Sequence, residues 1–280
     1  MYSSVKVDHV GATQDVVVVT LDRPERRNAL DAATLCELHE IFDHIGGQID
    51  IRAVIFTGCG EAFCAGLDLK PQHGDHGEPT TAAAKFAASA RSFVGCSLAI
   101  QELMASLFEK IHRLRQPVIA AVNGPALGGG FAMALACDIR IIADAASFGA
   151  VFIHHGISAC DMGTSYFLPR LVGASRSAEL LLTGRVFDAT EAERIGLVHL
   201  IDKSQDLLSV AVAKAREIAS SSPLAVWMTK ETMWQNLDAA NLRQALDLEN
   251  RTQVMCGASG DPERAFAAFR EKRAWVWQPL

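Results

Sequence analysis

The run Gly128-Gly129-Gly130 follows the apolar stretch Val118–Val122 and the turn Asn123-Gly124-Pro125, and it opens an apolar segment of helical character. Glycine lets a ligand oxygen approach the backbone closely, and the unpaired N–H groups of a helix's first turn, reinforced by its dipole, point at whatever lies there. Such a turn holds an anion or stabilises a carbonyl that is becoming an oxyanion; equally, a glycine run permits tight packing of a helix on a strand. A second glycine turn, Phe63-Cys64-Ala65-Gly66-Leu67-Asp68-Leu69-Lys70, follows the β-branched run at 51–57. If both runs are strands, both turns fall at strand carboxyl ends, where ligands bind in α/β folds. Two peptide donors from separate loops could then converge on one oxygen, pre-oriented and with little reorganisation as charge develops. A Walker loop is excluded: Gly124 and Gly129 have its glycine spacing, but Gly130-Phe131 stands where its Lys-Ser/Thr belongs, and no G-x-G-x-x-G fingerprint occurs either.

The elements that must position these turns can be read from periodicity. Residues 14–21 and 51–57 are short runs rich in β-branched residues and bounded by turn-formers, which predicts buried strands. Between them, Asn28 to Gly47 carries Leu30, Leu35, Leu38, Ile41 and Ile45 near helical spacing and closes on Gly46-Gly47. The pattern recurs as a helix over Ser97–Leu114, a strand over Val118–Val122, a helix over Gly129–Ala136 and a strand over Ile139–Ile142, which argues an α/β layer fold. The stretch Lys70 to Lys85, with Pro71, Gly74, Gly77, Pro79 and two histidines, reads as an exposed loop that could cover a site as a mobile lid. Beyond Leu200 the signals favour helices over 206–220, 223–236, 239–255 and 262–273. The expected division is a core over 1–202 and a helical segment over 203–280.

Composition narrows the function classes. The chain has 280 residues, half of them hydrophobic, and 26 Lys+Arg against 32 Asp+Glu give a net charge of −6. That describes a folded globular protein, with no electrostatic footprint for nucleic acid. Seven cysteines, odd in number and without a C-x-x-C pair, indicate neither a disulfide framework nor a zinc site and fit a reducing cytoplasm. No stretch approaches the ~20 apolar residues of a membrane span, and the N-terminus lacks a secretory signal.

Several motifs in order carry a resemblance to a known family. Arg23-Pro24 with Asn28-Ala29-Leu30, then Phe63-Cys64-Ala65-Gly66 with Asp68-Leu69, then Pro117 to Gly124 with Gly128-Gly129-Gly130, then Ala136-Cys137-Asp138-Ile139-Arg140, resemble the enoyl-CoA hydratase/isomerase (crotonase) family. Leu168 to Gly173, Leu182-Thr183-Gly184-Arg185 and Ala192 with Gly196-Leu197-Val198 extend the resemblance downstream. It implies a crotonase-like spiral of repeated β-β-α units with a C-terminal helical segment. It also implies an acyl-CoA thioester whose carbonyl oxygen is received by the N–H groups of Leu67 and Gly129. The CoA moiety would lie against the Arg23–Leu30 turn and the Ala65–Lys70 loop, with Arg26, Ala29, Ala65, Asp68, Leu69 and Lys70 as contacts. Phe269 and Lys272 resemble the element that reaches the CoA of a neighbouring subunit, unless they simply belong to a solvated amphipathic helix. Homotrimers paired into homohexamers are implied, and no cofactor beyond CoA as part of the substrate.

The sequence departs from the family where hydratases carry two glutamates. Ala132 occupies the position two residues after the glycine run, and Phe152 the position four residues after Phe148. Neither side chain can move a proton, so hydration by two carboxylic acids cannot run in its usual form. Cys160-Asp161-Met162-Gly163-Thr164 resembles the segment that supplies an aspartate in dienoyl-CoA isomerases, which makes Asp161 the acid/base candidate; alternatively Asp161 caps a helix beginning near Gly163. His154 and His155, read as strand neighbours, would face opposite ways, so at most one could serve as a base. Glu102 reads as a solvated helical carboxylate, Asp138 and Arg140 as a structural pair, and Cys64 and Cys160 carry no mark of a nucleophile. The expected activity is double-bond isomerisation or an atypical hydration; the alternatives are acyl-CoA binding without catalysis, and hydrolysis or C–C cleavage through the same enolate.

Overall fold

The computed structural model describes residues 2–11, 13–69, 85, 89, 91–202, 206–273, 275, 277 and 280. Nine strands are described: β1 Val5–Val10, β2 Val16–Leu21, β3 Ala53–Gly58, β4 Val118–Val122, β5 Ala126–Leu127, β6 Ile139–Ala143, β7 Ser147–Gly149, β8 Phe187–Asp188 and β9 Leu200–Asp202. The described α-helices are α1 Ala32–Gly47, α2 Phe93–Arg113, α3 Gly129–Ala136, α4 Thr164–Val172, α5 Ala174–Thr183, α6 Ala189–Arg194, α7 Leu207–Ala219, α8 Pro223–Asn236, α9 Leu242–Gly257 and α10 Asp261–Arg270. Six strands form one sheet in the order β1-β2-β3-β4-β6-β9, and β5-β7-β8 form a second. In the large sheet only the β1–β2 pair is antiparallel. Strand pairs followed by a helix recur as β1-β2-α1 and β4-β5-α3, in keeping with the expected β-β-α spiral.

Burial on both faces explains the sequence of the large sheet. Val16-Val17-Val18-Val19 in β2 and all five residues of β4 are buried, the near-continuous apolar run of a strand covered on each side. One face joins Val17, Val19, Val54, Phe56, Val118 and Val122 to the inward sides of α1 and α2. The other joins Val16, Val18, Ile55, Ile119, Ala121 and Ile141 to Leu207, Ala211 and Ala215 of α7. The first helix beyond residue 202 therefore packs into the core on the sheet's second face.

Strand β1 escaped the sequence reading because Lys6, Asp8 and His9 interrupt its valines, as suits an edge strand with one wet face. Helix α1 begins at Ala32, not Asn28: Arg27 and Asn28 take left-handed φ values of 51° and 56°, and Asp31 caps the helix by accepting the Thr34 N–H at 2.7 Å. Helix α2 begins at Phe93, four residues before Ser97, because the Ser92 hydroxyl accepts the Gly95 N–H. The stretch read as a lid, Lys70 to Lys85, lies outside the described residues except for Lys85.

Candidate functional site

The two glycine turns are bolted together by backbone. Cys64 N–H donates to Pro125 O at 3.1 Å and Leu127 N–H to Cys64 O at 3.0 Å, so the second turn lies beside the residues that lead into α3. The approach leaves no room for side chains: a Cβ on Gly130 would stand 2.1 Å from Cys64 O, and one on Gly124 2.0 Å from Glu61 O. Gly66 takes a φ of 92°, and a Cβ there would lie 2.8 Å from Leu127 O and 3.3 Å from the Gly129 nitrogen. Glycine is therefore required at 66 both by conformation and by closeness.

A short bridge fixes which way the amide of Leu67 points. Leu30 N–H donates to Gly66 O and Asp68 N–H to Leu30 O, both at 2.8 Å, so Leu67, between them, turns its own N–H away from Leu30. Gly129 is the first residue of α3, where the N–H has no partner within the helix. Among the described residues no hydrogen bond occupies the Leu67 or the Gly129 amide. The contact of Gly66 with Gly129 brings the two turns that carry these donors side by side.

The surroundings are apolar. A Cβ on Gly129 would meet Leu30 Cδ1 at 3.3 Å and Met162 Sδ at 3.4 Å, and one on Gly128 would meet the Phe152 ring at 3.6 Å. Ala132 is fully buried in α3, and Phe131, Phe148 and Phe187 pack ring against ring behind it. Phe152 is buried, but in a 3-10 helix, Val151–His155, rather than a strand. That helix closes where Gly156, at a φ of 73°, donates to Ile153 O. The two-sided arrangement expected for His154 and His155 is corrected accordingly: both are exposed, and His154 Nε2 hydrogen-bonds to Thr183 O at 2.9 Å.

Asp161 is half-buried and immediately precedes Met162, whose sulfur stands beside Gly129. Its Oδ1 accepts the Met162 N–H at 2.7 Å and the side-chain amide of Gln101 on α2. Met162 adopts a φ of 49°, a left-handed conformation costly for a non-glycine residue, and this turns its N–H back onto the preceding carboxylate. The alternative in which the Asp161 side chain caps α4 is corrected: the cap residue is Gly163, with no side-chain bond, and Thr164 does the local bonding, its Oγ1 accepting Asp161 N–H at 3.2 Å and donating to Ala159 O at 2.6 Å.

The residues expected around CoA divide into two groups. Ala65 N–H donates to Arg27 O, which zips the Ala65–Leu69 segment to the turn holding half-buried Arg26 and buried Ala29. Leu67 and Leu69 are exposed, at 44% and 68%, as suits residues along an open edge. The Asp68 carboxylate faces inward, 3.1 Å from the Arg23 guanidinium, which also holds Asp31 at 2.9 Å. Asp68 thus ties the loop to the Arg23 turn. Lys70 lies outside the described residues. Phe269 and Lys272 stand at the end of α10, which packs on α9; Phe269 is 75% exposed, and the fold does not bring the pair to the rest of the site within one subunit.

Other expectations are settled by partners. The Asp138–Arg140 pair is corrected at the carboxylate: that group takes Lys230 Nζ at 2.7 Å, Val118 N–H and the Trp234 indole N–H, while buried Arg140 donates to the backbone carbonyls of Leu197, Cys137 and, at 3.4 Å, Asp138 itself. Glu102 is exposed on α2. Burial pushes the Cys64 thiol up to about 12, which leaves no thiolate at neutral pH. Gln101, Met162 and Arg23 were not singled out as site residues. Gln101 and Met162 neighbour residues that were, but their roles depend on contacts between elements far apart in sequence.

With this geometry in hand, comparison with known proteins is specific. The profile described as enoyl-CoA hydratase/isomerase matches residues 11–279. A probable enoyl-CoA hydratase of Mycobacterium bovis is 37% identical over 98% of this chain and 93% of its own length. The crystal structure of a probable enoyl-CoA hydratase/isomerase from Mycobacterium abscessus superposes with a TM-score of 0.87 at 36% identity, over 99% of both chains. A monofunctional enoyl-CoA isomerase from Mycobacterium smegmatis gives 0.70 at 36% identity, over 87% of this chain and 98% of that one.

Proposed function

The chain belongs to the enoyl-CoA hydratase/isomerase family, and from that premise we propose that it isomerises, or hydrates by an atypical route, an unsaturated acyl-CoA through a thioester enolate. The thioester carbonyl is received by the Leu67 and Gly129 amides, and Asp161 moves the proton. The observation that carries this reading is the meeting of two unoccupied backbone donors with one carboxylate segment, joined through the contact of Met162 with Gly129. In the isomerisation of a 3-enoyl thioester, the C2–H bond breaks and the proton passes to Asp161. The electron pair flows into the conjugated enolate, whose oxygen the two amides stabilise. The proton then returns at C4, C2=C3 forms, and the carbonyl is restored. Fixed donors for the developing oxyanion are worth about 10²–10³ each in rate, and a positioned acid/base about 10²–10⁴.

Isomerisation is favoured over simple hydration because Ala132 and Phe152 stand where two glutamates would manage water, and both are buried and apolar. The same observation supports the rival reading, a protein that binds acyl-CoA without turning it over. Arg26, Ala29, Ala65 and Leu69 line the proposed CoA edge, and Phe269 and Lys272 contribute from a neighbouring subunit of a homotrimer or homohexamer. The exposed apolar residues Val254, Met255, Phe266 and Phe269 on α9 and α10 support such an assembly. Among the described residues no helix is long and apolar enough to cross a membrane, and the proposed location is the cytoplasm.

The test is to incubate the purified protein with 2-enoyl-, 3-enoyl- and dienoyl-CoAs of several chain lengths and follow double-bond migration and water addition by mass spectrometry, with Asp161→Ala alongside. Turnover lost in the variant supports the reading. Binding of the thioesters with no turnover supports the rival.

A further inference from the structure

We infer that Gln101 is the positioning residue of the reaction: its side-chain amide occupies one oxygen of Asp161 so that the other is left as the proton carrier. The inference rests on the reading of Asp161 as the acid/base. Asp161 Oδ1 receives two donors, the Gln101 Nε2–H and the Met162 N–H, and among the described residues Oδ2 receives none. The two donors differ in kind. Met162 is the next residue along the chain and moves with Asp161, whereas Gln101 comes from α2, 60 residues away. The backbone of the segment is fixed by Thr164, which bonds both Asp161 N–H and Ala159 O. Among the described residues, Gln101 is thus the one hydrogen-bond partner that ties the carboxylate itself to another element. Because the Nε2 amide can only donate, the oxygen it touches must act as an acceptor, and a proton in transit is carried on the other oxygen. A carboxylate with one oxygen held and one open presents a single lone-pair direction to the substrate, and misplacement by about 1 Å can cost about 10²-fold.

The test uses the whole protein with a straight-chain 3-enoyl-CoA and its saturated counterpart in D2O, reading isomerisation and deuterium incorporation at C2. Gln101→Leu removes the donor; the expected result is a kcat lower by about tenfold to a hundredfold with KM within about twofold. Gln101→Glu keeps the shape but sets a second carboxylate against Asp161. It should be slower still at neutral pH and recover as the pH is lowered toward about 5, where the introduced carboxyl becomes protonated and can donate again. Among the described residues, the ionisable side chains next in sequence to this pair are Glu102, exposed on α2, and Cys160, exposed before Asp161. Rescue by acid is a signature that a merely structural glutamine would not give. A wild-type kcat in Gln101→Leu, with Asp161→Ala inactive, overturns the inference and leaves the reading of Asp161 standing. Full activity in Asp161→Ala, or no isomerisation and no exchange by the wild type, overturns both.

Discussion

The Leu67 and Gly129 amides sit on turns held chiefly by backbone hydrogen bonds, whereas the Asp161 carboxylate hangs between one side chain of α2 and the amide of a left-handed residue. Around the donors the fixing hydrogen bonds run chiefly between main-chain atoms, Cys64 to Pro125 and Leu127 and Leu30 to Gly66 and Asp68, with the Cys64 sulfur on Gly66 N–H and the Arg23–Asp68 ion pair as additions. Around Asp161 the decisive contact is the Gln101 side-chain amide. The two regions divide the labour. The proposed carbonyl donors are built from the least adjustable part of the chain, while the proposed proton carrier is set on contacts that a single substitution can change. One fold can thus keep its carbonyl-binding turns while the proton chemistry beside them varies.

The largest effect is expected from removing the proposed proton carrier. Asp161→Asn should lower kcat by about 10²–10⁴ while the melting temperature stays near wild type, read by steady-state kinetics and thermal unfolding. Next comes an attack on the rigid half: Gly130→Ala drives a methyl to 2.1 Å from Cys64 O. It should cost about 3 kcal/mol or more, seen as a lower denaturation midpoint and lost soluble yield. A third change lies away from both halves. Lys230→Met leaves the buried Asp138 carboxylate without its cation, although Val118 N–H and the Trp234 indole remain. A loss of about 3 kcal/mol in urea titration is expected, with kcat in the folded fraction unchanged.

The smallest effect concerns pH. Desolvation by burial lowers the pKa of His39 and of His112. For a base with a lowered folded pKa the unfolded chain binds more protons, so the stability these residues confer is present above the unfolded value of about 6.5 and is lost as pH falls through the folded one. His39 is almost wholly buried, its Nε2 hydrogen-bonded to Leu103 O at 2.8 Å. His39→Gln should flatten the acid side of the stability profile, measured as the urea midpoint between about pH 7 and 5.

What could be read from sequence follows the same division. Strands β2 and β4 and helix α3 were legible because continuous burial and a glycine run leave a local composition that nothing else produces. The two glycine turns were legible for the same reason: a required φ or a missing Cβ shows in the residue type itself. The 3-10 helix at Val151–His155 was not, since its β-branched and aromatic residues read equally well as a strand until Gly156 is seen to close it. Asp31 as the true cap of α1 was hidden by two left-handed residues before it. The partners of Asp161, Asp138 and Arg140 were beyond reach, because Gln101, Lys230 and Leu197 lie 57 to 92 positions away and only the assembled fold brings them in. The Arg23 link to Asp68 crosses 45 positions and was missed likewise.

In the proposed mechanism two backbone amides receive the thioester carbonyl independently of Asp161. Isotope-edited infrared spectroscopy of an enoyl-CoA carrying carbon-13 at the thioester carbonyl tests it most directly, with the ligand bound to wild type, to Asp161→Asn and to Gly66→Ala, whose new methyl would crowd the Gly129 nitrogen at 3.3 Å. The account predicts a carbonyl stretch displaced to lower frequency in wild type and in Asp161→Asn, and returned toward its solution value in Gly66→Ala. A bound carbonyl at its solution frequency in the wild type would contradict it.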